Sequence, residues 1–511
     1  MSTSKLVKGT FLIIIGNFIF RIGGYIYRFL MSRMLGPEGY GILGLTMPFQ
    51  GIFQILAAGG LPPAIAKYVA EYMVLDKKED ARAVLYVSMK LMILLAFIFS
   101  LVIFFTSPWI ACNFFHKPNA ILPLQAVALI LPFSVIVGVF RGLFQGIYKM
   151  EYIVVTRFVE QVGIIIFAAI LVVLGFYVVG AVIGTALGFL VSLIASLIVF
   201  KKYLADDFTY PKIDFKKEIK IAKMLLNFSI PVILAALSEM AIYDIDTFLI
   251  GHFLPTIYLG YYSAADPIAR LPLVISISVA TAALPAASEA YSLKNKKLLE
   301  DYVTQSYRIV MLTVLPICVG IAVFASPVIS LLFGSQYVPG AEPLRILVMG
   351  MTFYTFFVVS SSIIQGVGRP SLPMYILFFG TILNFIFNWF LIPIYGMVGA
   401  ATATSSATFI IMLISMFKTF EVTGVKPPFS AFTKIIIASL LLGIILSFLP
   451  KTIFMLILMV FISPVIYTIF LMVLKGFEEK DIKLIRKAGR KMGPLAKYID
   501  KIANILEKFI S

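Results

Sequence analysis

Residues Phe11–Met34 read FLIIIGNFIFRIGGYIYRFLMSRM, an apolar run of bilayer-crossing length that nonetheless carries arginines. A crossing helix needs about 20 mostly apolar residues, so the length reads as a membrane span. Arg21 and Arg28 stand two helical turns apart and share one face with Asn17 and Tyr25. A charged side chain at the bilayer centre costs about 2.5–3.5 kcal/mol on insertion scales, so such a face must meet a partner or a wet cavity rather than lipid. The rest of the chain can be read as the wall of that cavity.

Composition agrees. Hydrophobic residues make up 61% of the 511 and charged residues 13%, about half the charge of a soluble domain. Fourteen apolar stretches of crossing length follow one another, from 9–34 to 452–474. The first is too long for a cleavable leader and is followed by no small-residue cleavage site, so it is expected to stay in the protein. Two cysteines, Cys112 and Cys318, and two histidines are too few for a disulfide framework, a zinc site or a haem site, and no cofactor is expected.

The net charge of +17 is topological. With the N-terminus inside, the inner connections hold Lys67, Lys77, Lys78 and Arg82, then Lys149, then the run from Lys201 to Lys223. Further on they hold Lys294, Lys296 and Lys297, then Arg369, then Lys418, Lys426 and Lys434. The outer connections hold only Arg33, Lys117, Arg345 and Lys451. This is the positive-inside bias, so both termini are expected in the cytoplasm of a multi-pass cell-membrane protein, and no nucleic-acid partner is expected. Among the remaining cations, Lys90, Arg141, Arg157 and Arg308 lie near inner span ends and are expected to snorkel. Arg21, Arg28 and Arg270 lie too deep for that.

A repeat organises the spans. FLMSRMLGPEGYG at Phe29–Gly41 aligns with FLIGHFLPTIYLG at Phe248–Gly260, and Leu61-Pro62 with Leu284-Pro285. Gln145-Gly146 aligns with Gln365-Gly366, and Gly180-Ala181 with Thr185 aligns with Gly399-Ala400 with Thr404. One offset of roughly 220 residues serves all of them, which is the mark of duplication. Each unit has an even number of spans, so the halves enter the membrane in the same direction. The expected fold is all-α and integral to the membrane, with fourteen transmembrane helices. Two pseudo-symmetric six-helix lobes, 1–205 and 224–420, flank a central cleft and are joined by a cytoplasmic linker, 206–223. Two extra helices occupy 421–475. A basic tail, 476–511, follows, in which Leu495, Ile499, Ile502, Leu506 and Phe509 recur at the spacing of a membrane-surface helix. A monomer suffices, because the duplicated lobes complete the cleft.

Three runs carry a family resemblance: R-x-L-G-P-E-G-Y-G at Arg33–Gly41, G-L-P-P-A-I-A-K-Y at Gly60–Tyr68, and D-T-F-L-I-G…L-G-Y-Y-S-A-A-D from Asp246 to Asp266. Over about 1–475 the chain resembles the polysaccharide-transporter family. Its members are oligosaccharide-lipid flippases of the superfamily that includes lipid II flippases and multidrug and toxin extruders. The resemblance implies alternating access, with the first, second, seventh and eighth spans lining the cleft. The head group would cross there while its lipid tail stays among the membrane lipids.

The resemblance places Arg21, Arg28 and Arg270 as phosphate holders and Gln50 and Gln54 as sugar contacts. Glu239, Asp244, Asp246 and Asp266 become gating or coupling acids. Physical chemistry agrees on the arginines, since guanidinium forks compensate a desolvated phosphate better than lysine or neutral donors do. The acids are expected to pair with the arginines between cycles, and the substrate phosphate to compete for them. Some lipid II flippases hold sodium between spans seven, eleven and twelve. The matching positions here are Asp246, Asn384, Asn388 and Thr404 with the backbone of Ala400, so sodium or proton coupling is a candidate. Those flippases tend to carry alanine-aspartate-arginine in the eighth span, whereas here Pro267 follows Ala265-Asp266 and Arg270 comes one turn later. That departure favours a lipid-linked saccharide other than lipid II.

Two other classes stay open. A cation-coupled multidrug antiporter would show an acid-dominated cavity, and the seventh-span acids keep it in view. A glycosyltransferase would use a metal-binding D-x-D, but Asp244-Ile-Asp246 falls inside a span with no soluble domain beside it, so no enzyme is expected. Gly23-Gly24, between the two arginines, is the expected hinge.

Overall fold

The computed structural model describes residues 3–482 apart from 212 and 428, together with single positions between 486 and 507. The surface helix expected at Leu495, Ile499, Ile502, Leu506 and Phe509 lies outside the described residues.

Among those residues the chain is helical and without strands. The first half holds α1 (Thr3–Ala58), α2 (Leu61–Val74), α3 (Lys78–Trp109), α4 (Ile121–Gly146), α5 (Met150–Leu171), α6 (Tyr177–Tyr203) and α7 (Phe215–Phe253). Then come α8 (Thr256–Ala269), α9 (Leu273–Ser292), α10 (Lys296–Val323), α11 (Ala325–Leu332) and α12 (Ala341–Gly366). The chain ends in α13 (Ser371–Thr423), α14 (Phe429–Ser447) and α15 (Ile453–Val473).

Eleven helical runs in the described residues are long and apolar enough to cross a membrane. Three of them, Phe20–Val74, Met150–Tyr203 and Ser371–Thr423, contain 55, 54 and 53 residues. That is about 80 Å of helix against a hydrocarbon core of ~30 Å, so each holds two crossings, and the fourteen expected spans are present. Each double run is interrupted at a glycine of positive φ: Gly36 at 67°, Gly175 at 93° and Gly396 at 60°. An L residue would give up roughly 1–2 kcal/mol in that region. Pro37 reinforces the first break, because it has no N–H to continue the ladder. Large apolar side chains such as Phe105, Phe417, Phe454 and Phe461 stay exposed, as the lipid-facing side of a membrane protein requires.

The chain forms two compact units, Met1–Ser263 and Ala264–Ser511. In the first, α7 packs on α1, α2 and α3. Its helix starts at Phe215, inside the stretch expected as linker, where Asp214 caps it by accepting from the Lys217 backbone at 3.1 Å. Ion pairs fasten this start to α3: Lys90 Nζ to Glu218 at 2.7 Å and Lys217 Nζ to Asp80 at 2.7 Å. Arg82 Nε donates to the Asp207 carbonyl at 2.8 Å, and the Tyr86 hydroxyl donates to Phe208 at 3.1 Å.

The repeat recurs as local geometry within each unit. Gly146 ends α4 against Ala66 and Val69 of α2, and Gly366 ends α12 against Leu284 and Ala287 of α9. The helix-breaking Gly175 and Gly396 keep the same offset. Gly41 and Gly260, aligned by the repeat, meet in space. A Cβ on Gly41 would strike the Thr256 carbonyl and one on Gly260 the Pro37 carbonyl, so α1 and the start of α8 touch backbone to backbone. Gly41→Leu should therefore lower stability by about 1–3 kcal/mol or more through overpacking. Thermal unfolding in detergent would check this, and an unchanged midpoint would show that the junction gives way freely.

Three expectations change. The helix runs on through Gly23-Gly24 without a bend, because Gly23 is a packing site: a Cβ there would enter the Gln161 side chain of α5. The break falls instead at Arg270–Pro272, where the expected eighth span divides into α8 and α9. Arg141 and Arg308 do not snorkel, because acids meet them where they stand. Arg141 lies 2.8 Å from Glu160, and Arg308, 0% exposed, is ringed by the segment after α15.

Candidate functional site

In the first unit the α1 arginines are oriented by what packs behind them. Gly23 sits on α5, and the Tyr27 hydroxyl donates to the Ala181 carbonyl of α6 at 3.4 Å. At about 100° per residue, Arg21 and Arg28 fall within roughly 20° of each other and about 100–160° from Gly23 and Tyr27. Both thus point away from the α5–α6 side, Arg21 exposed and Arg28 half-buried. Among the described residues no salt bridge joins either to an acid, so the expected resting pairs with Glu239, Asp244 or Asp246 are not formed here.

Gln50 and Gln54, both half-buried, lie on the part of α1 after Gly36. On one side of them Gly51 meets Met240 of α7, where a Cβ would come 2.7 Å from Cε. On the other, Phe53 packs on Ile103 of α3 and Leu131 of α4. Both glutamines are roughly 60–100° from Gly51 and from Phe53, on the flank between the two contacts.

The α7 acids differ from one another. Glu239 is exposed and Asp244 half-buried, while Asp246 is 3% exposed and accepts a hydrogen bond from the Tyr262 hydroxyl. Glu239 and Asp246 share a face, as the seven-residue spacing requires. At the far end of α7, Lys117 reaches from the α3–α4 connection and donates to the carbonyls of Gly251 and, at 3.1 Å, Phe115. Burial pushes the Lys117 ammonium below its ordinary range.

In the second unit Arg270 Nε and Nη2 both lie 2.7 Å from Asp266 Oδ1. Any anion approaching Arg270 would have to compete with that carboxylate. Asn384, Asn388 and Thr404 come together on α13, and they and Ala400, one turn before Thr404, are buried. Asn388 Nδ2 donates to Asn384 Oδ1 at 2.8 Å and Thr404 Oγ1 donates to the same oxygen at 3.0 Å. A hard cation takes oxygen ligands of this kind, but it would have to turn both donors aside.

Two features escaped the sequence. One is an apolar cavity of about 1000 Å³, walled by Ile309, Leu312 and Pro316 of α10, Leu442 of α14, and Met459 and Val460 of α15. The other is the clamp on Arg308. Its guanidinium meets Glu478 at 2.7 Å, the Gly476 carbonyl at 3.1 Å, and Asp481. The acids of Glu478–Asp481, directly after the last span, were the available signal.

Residues 6–291 match the family described as polysaccharide biosynthesis protein, and residues 231–390 match MatE. A membrane protein of Methanocaldococcus jannaschii is 30% identical over 400 residues, which cover 76% of this chain and 92% of that one. The lipid II flippase MurJ of Bacillus subtilis is 24% identical over 446 residues, 79% of this chain and 80% of its own. Among solved structures, lipid II flippase MurJ in an inward closed conformation aligns with a TM-score of 0.73 at 18% identity, covering 91% of this chain and 98% of that one. This last likeness concerns the fold.

Proposed function

We propose, since this chain belongs to the polysaccharide biosynthesis protein family, that it is an alternating-access flippase for a lipid-linked oligosaccharide on a polyprenyl phosphate or diphosphate carrier. Cargo would pass from the cytoplasmic to the outer leaflet of the cell membrane for surface glycan assembly. Both termini would lie in the cytoplasm. The protein would act as a transporter and not an enzyme, with one chain sufficient.

The observation that carries the reading is the aligned pair Arg21 and Arg28, turned away from the packed side of a crossing helix and joined to no acid among the described residues. Cations so placed would recognise an anion. A head-group phosphate gains charge-assisted hydrogen bonds from guanidinium, each contributing about 1.5–3 kcal/mol. Gln50 and Gln54 would supply neutral sugar contacts. The apolar cavity beside α10, α14 and α15 is consistent with cargo that carries a hydrocarbon chain.

The discriminating experiment offers proteoliposomes a polyprenyl-diphosphate-linked oligosaccharide and, separately, a lipophilic cationic dye. Flipping of the sugar lipid without dye export is expected. Dye export without flipping would move the chain to the antiporter class, with Glu239, Asp244 and Asp246 as its working acids.

Coupling to a cation belongs to the same proposal. Asn384, Asn388 and Thr404, gathered on α13, would offer oxygen ligands to sodium. At one pH, flipping is expected to run about fivefold or more faster in sodium than in potassium or choline. Equal rates in the three salts would remove sodium and turn the question to protons.

A further inference from the structure

A second basic site lies in the first unit, away from Arg21 and Arg28, where the end of α2 meets the start of α7. A pocket of about 540 Å³ is lined by Tyr68 of α2 and by Lys220, Lys223, Met224, Asn227 and Phe228 of α7. Lys220, Lys223 and Asn227 recur at helical spacing and therefore project from one face of α7. Lys67 Nζ caps the aromatic wall, 4.6 Å from the Tyr68 ring and 5.2 Å from the Phe228 ring. Those rings meet edge to face at 6.2 Å, and Tyr68 stacks on Tyr72 at 6.5 Å. The Tyr72 hydroxyl reaches Met224 Sδ at 4.0 Å, which fixes α2 against α7. Close by, Gly60 abuts the Ser229 backbone, so the junction has no slack.

Three lysines converge on this junction from two helices. Among the described residues none of the three is in a salt bridge, although Lys90 and Lys217 nearby have acids of their own. Glu71, one turn after Lys67, is exposed and is not part of the lining. All three are exposed, so water screens their mutual repulsion, and an anion that bridged them would add charge-assisted hydrogen bonds from two helices. Lys220 and Lys223 stand within about one turn of the apolar stretch expected to begin at 224, and so at the depth of lipid head groups.

We infer that this pocket is an anion site at the membrane surface whose occupant is the phosphate or diphosphate of a lipid head group, held by Lys67, Lys220 and Lys223. Tyr68 and Phe228 form the wall against which the group attached to the phosphate rests. The inference rests on reading the chain as a carrier of phosphate-bearing lipids. It adds a loading site outside the arginine pair, where cargo would be collected before α1 receives it.

The test measures binding of radiolabelled farnesyl diphosphate to the full chain in phosphatidylcholine nanodiscs, in the Arg28→Ala background so that the surface site dominates. The double variant Lys220→Gln/Lys223→Gln should weaken binding about tenfold or more while its thermal midpoint is kept. Tyr68→Leu, which leaves every charge in place, should weaken binding severalfold. Inorganic pyrophosphate should compete at least 100-fold less well than unlabelled farnesyl diphosphate, since it has no chain in the membrane. Unchanged binding in the lysine variant would overturn the site, and equal competition by pyrophosphate would overturn the lipid source. Lysine-dependent binding, with no flipping by the wild-type chain in sealed vesicles, would sink the transport reading alone. Flipping with lysine-independent binding would sink this pocket alone.

Discussion

Arg28→Ala is expected to slow flipping of a polyprenyl-diphosphate-linked oligosaccharide about 100-fold, the equivalent of roughly 2.7 kcal/mol, with the thermal midpoint almost unchanged. The size follows from losing the charge-assisted, two-pronged contact proposed for the head-group phosphate. The unchanged midpoint follows from the resting state, in which no salt bridge holds Arg28 among the described residues, so removing it strands no acid. Arg28→Lys keeps the charge but loses the planar fork, and should recover only part of the rate. Arg21→Ala should cost less, because Arg21 is the more exposed of the two. A loss of rate that tracked a loss of folded protein in every variant would make Arg28 a packing residue.

The largest effect on stability is expected at the other end of the chain. Asp481→Ala leaves Arg308, 0% exposed, without its buried acid and should destabilise the protein by about 3–5 kcal/mol. Glu478 still meets the guanidinium at 2.7 Å, but from a side chain 41% exposed, so solvent screens what it can restore. Arg308→Met alone should cost less than Asp481→Ala, since Asp481 loses its cation but keeps hydrogen bonds from Gln305 Nε2 at 3.2 Å and the Glu478 backbone N–H at 2.9 Å. The double variant Arg308→Met/Asp481→Ala removes both charges and should regain most of the loss, because a buried pair replaced by apolar groups is often neutral. Chemical or thermal unfolding of the four proteins measures the coupling, and additive losses in the double variant would show that the two residues act apart.

Much of the architecture was legible because bilayer thickness imposes a length on every span. The fourteen crossings and the duplication could be read from apolar length and from pairs such as Gln145-Gly146 with Gln365-Gly366. Periodicity also put Arg21 and Arg28 on one face, and the packing of Gly23 and Tyr27 explains which way that face turns. Pairing was the harder matter. Arg141 and Arg308 look like snorkelling cations in sequence because their partners are distant: Glu160 lies on the next helix, and Asp481 lies beyond the last span. The helix stays unbroken at Gly23-Gly24 in this conformation for a similar reason. A Gly-Gly step permits a bend, but whether it bends depends on a neighbour, here Gln161, that only tertiary structure supplies. The opposite held at Arg270, where flanking Pro267 and Pro272 outweigh the apolar run and split the span.

The most direct measurement follows a radiolabelled polyprenyl-diphosphate oligosaccharide across the membrane of sealed proteoliposomes, with a membrane-impermeant reagent reporting the exposed leaflet. Wild type, Arg28→Ala and protein-free vesicles would be compared at equal lipid. Exposure that rises with wild-type protein, and stays near the protein-free level with folded Arg28→Ala, is the expected result. Equal exposure in wild type and folded Arg28→Ala would contradict the assignment of the α1 arginines as the anion site. No exposure above the protein-free level in wild type would contradict flipping itself.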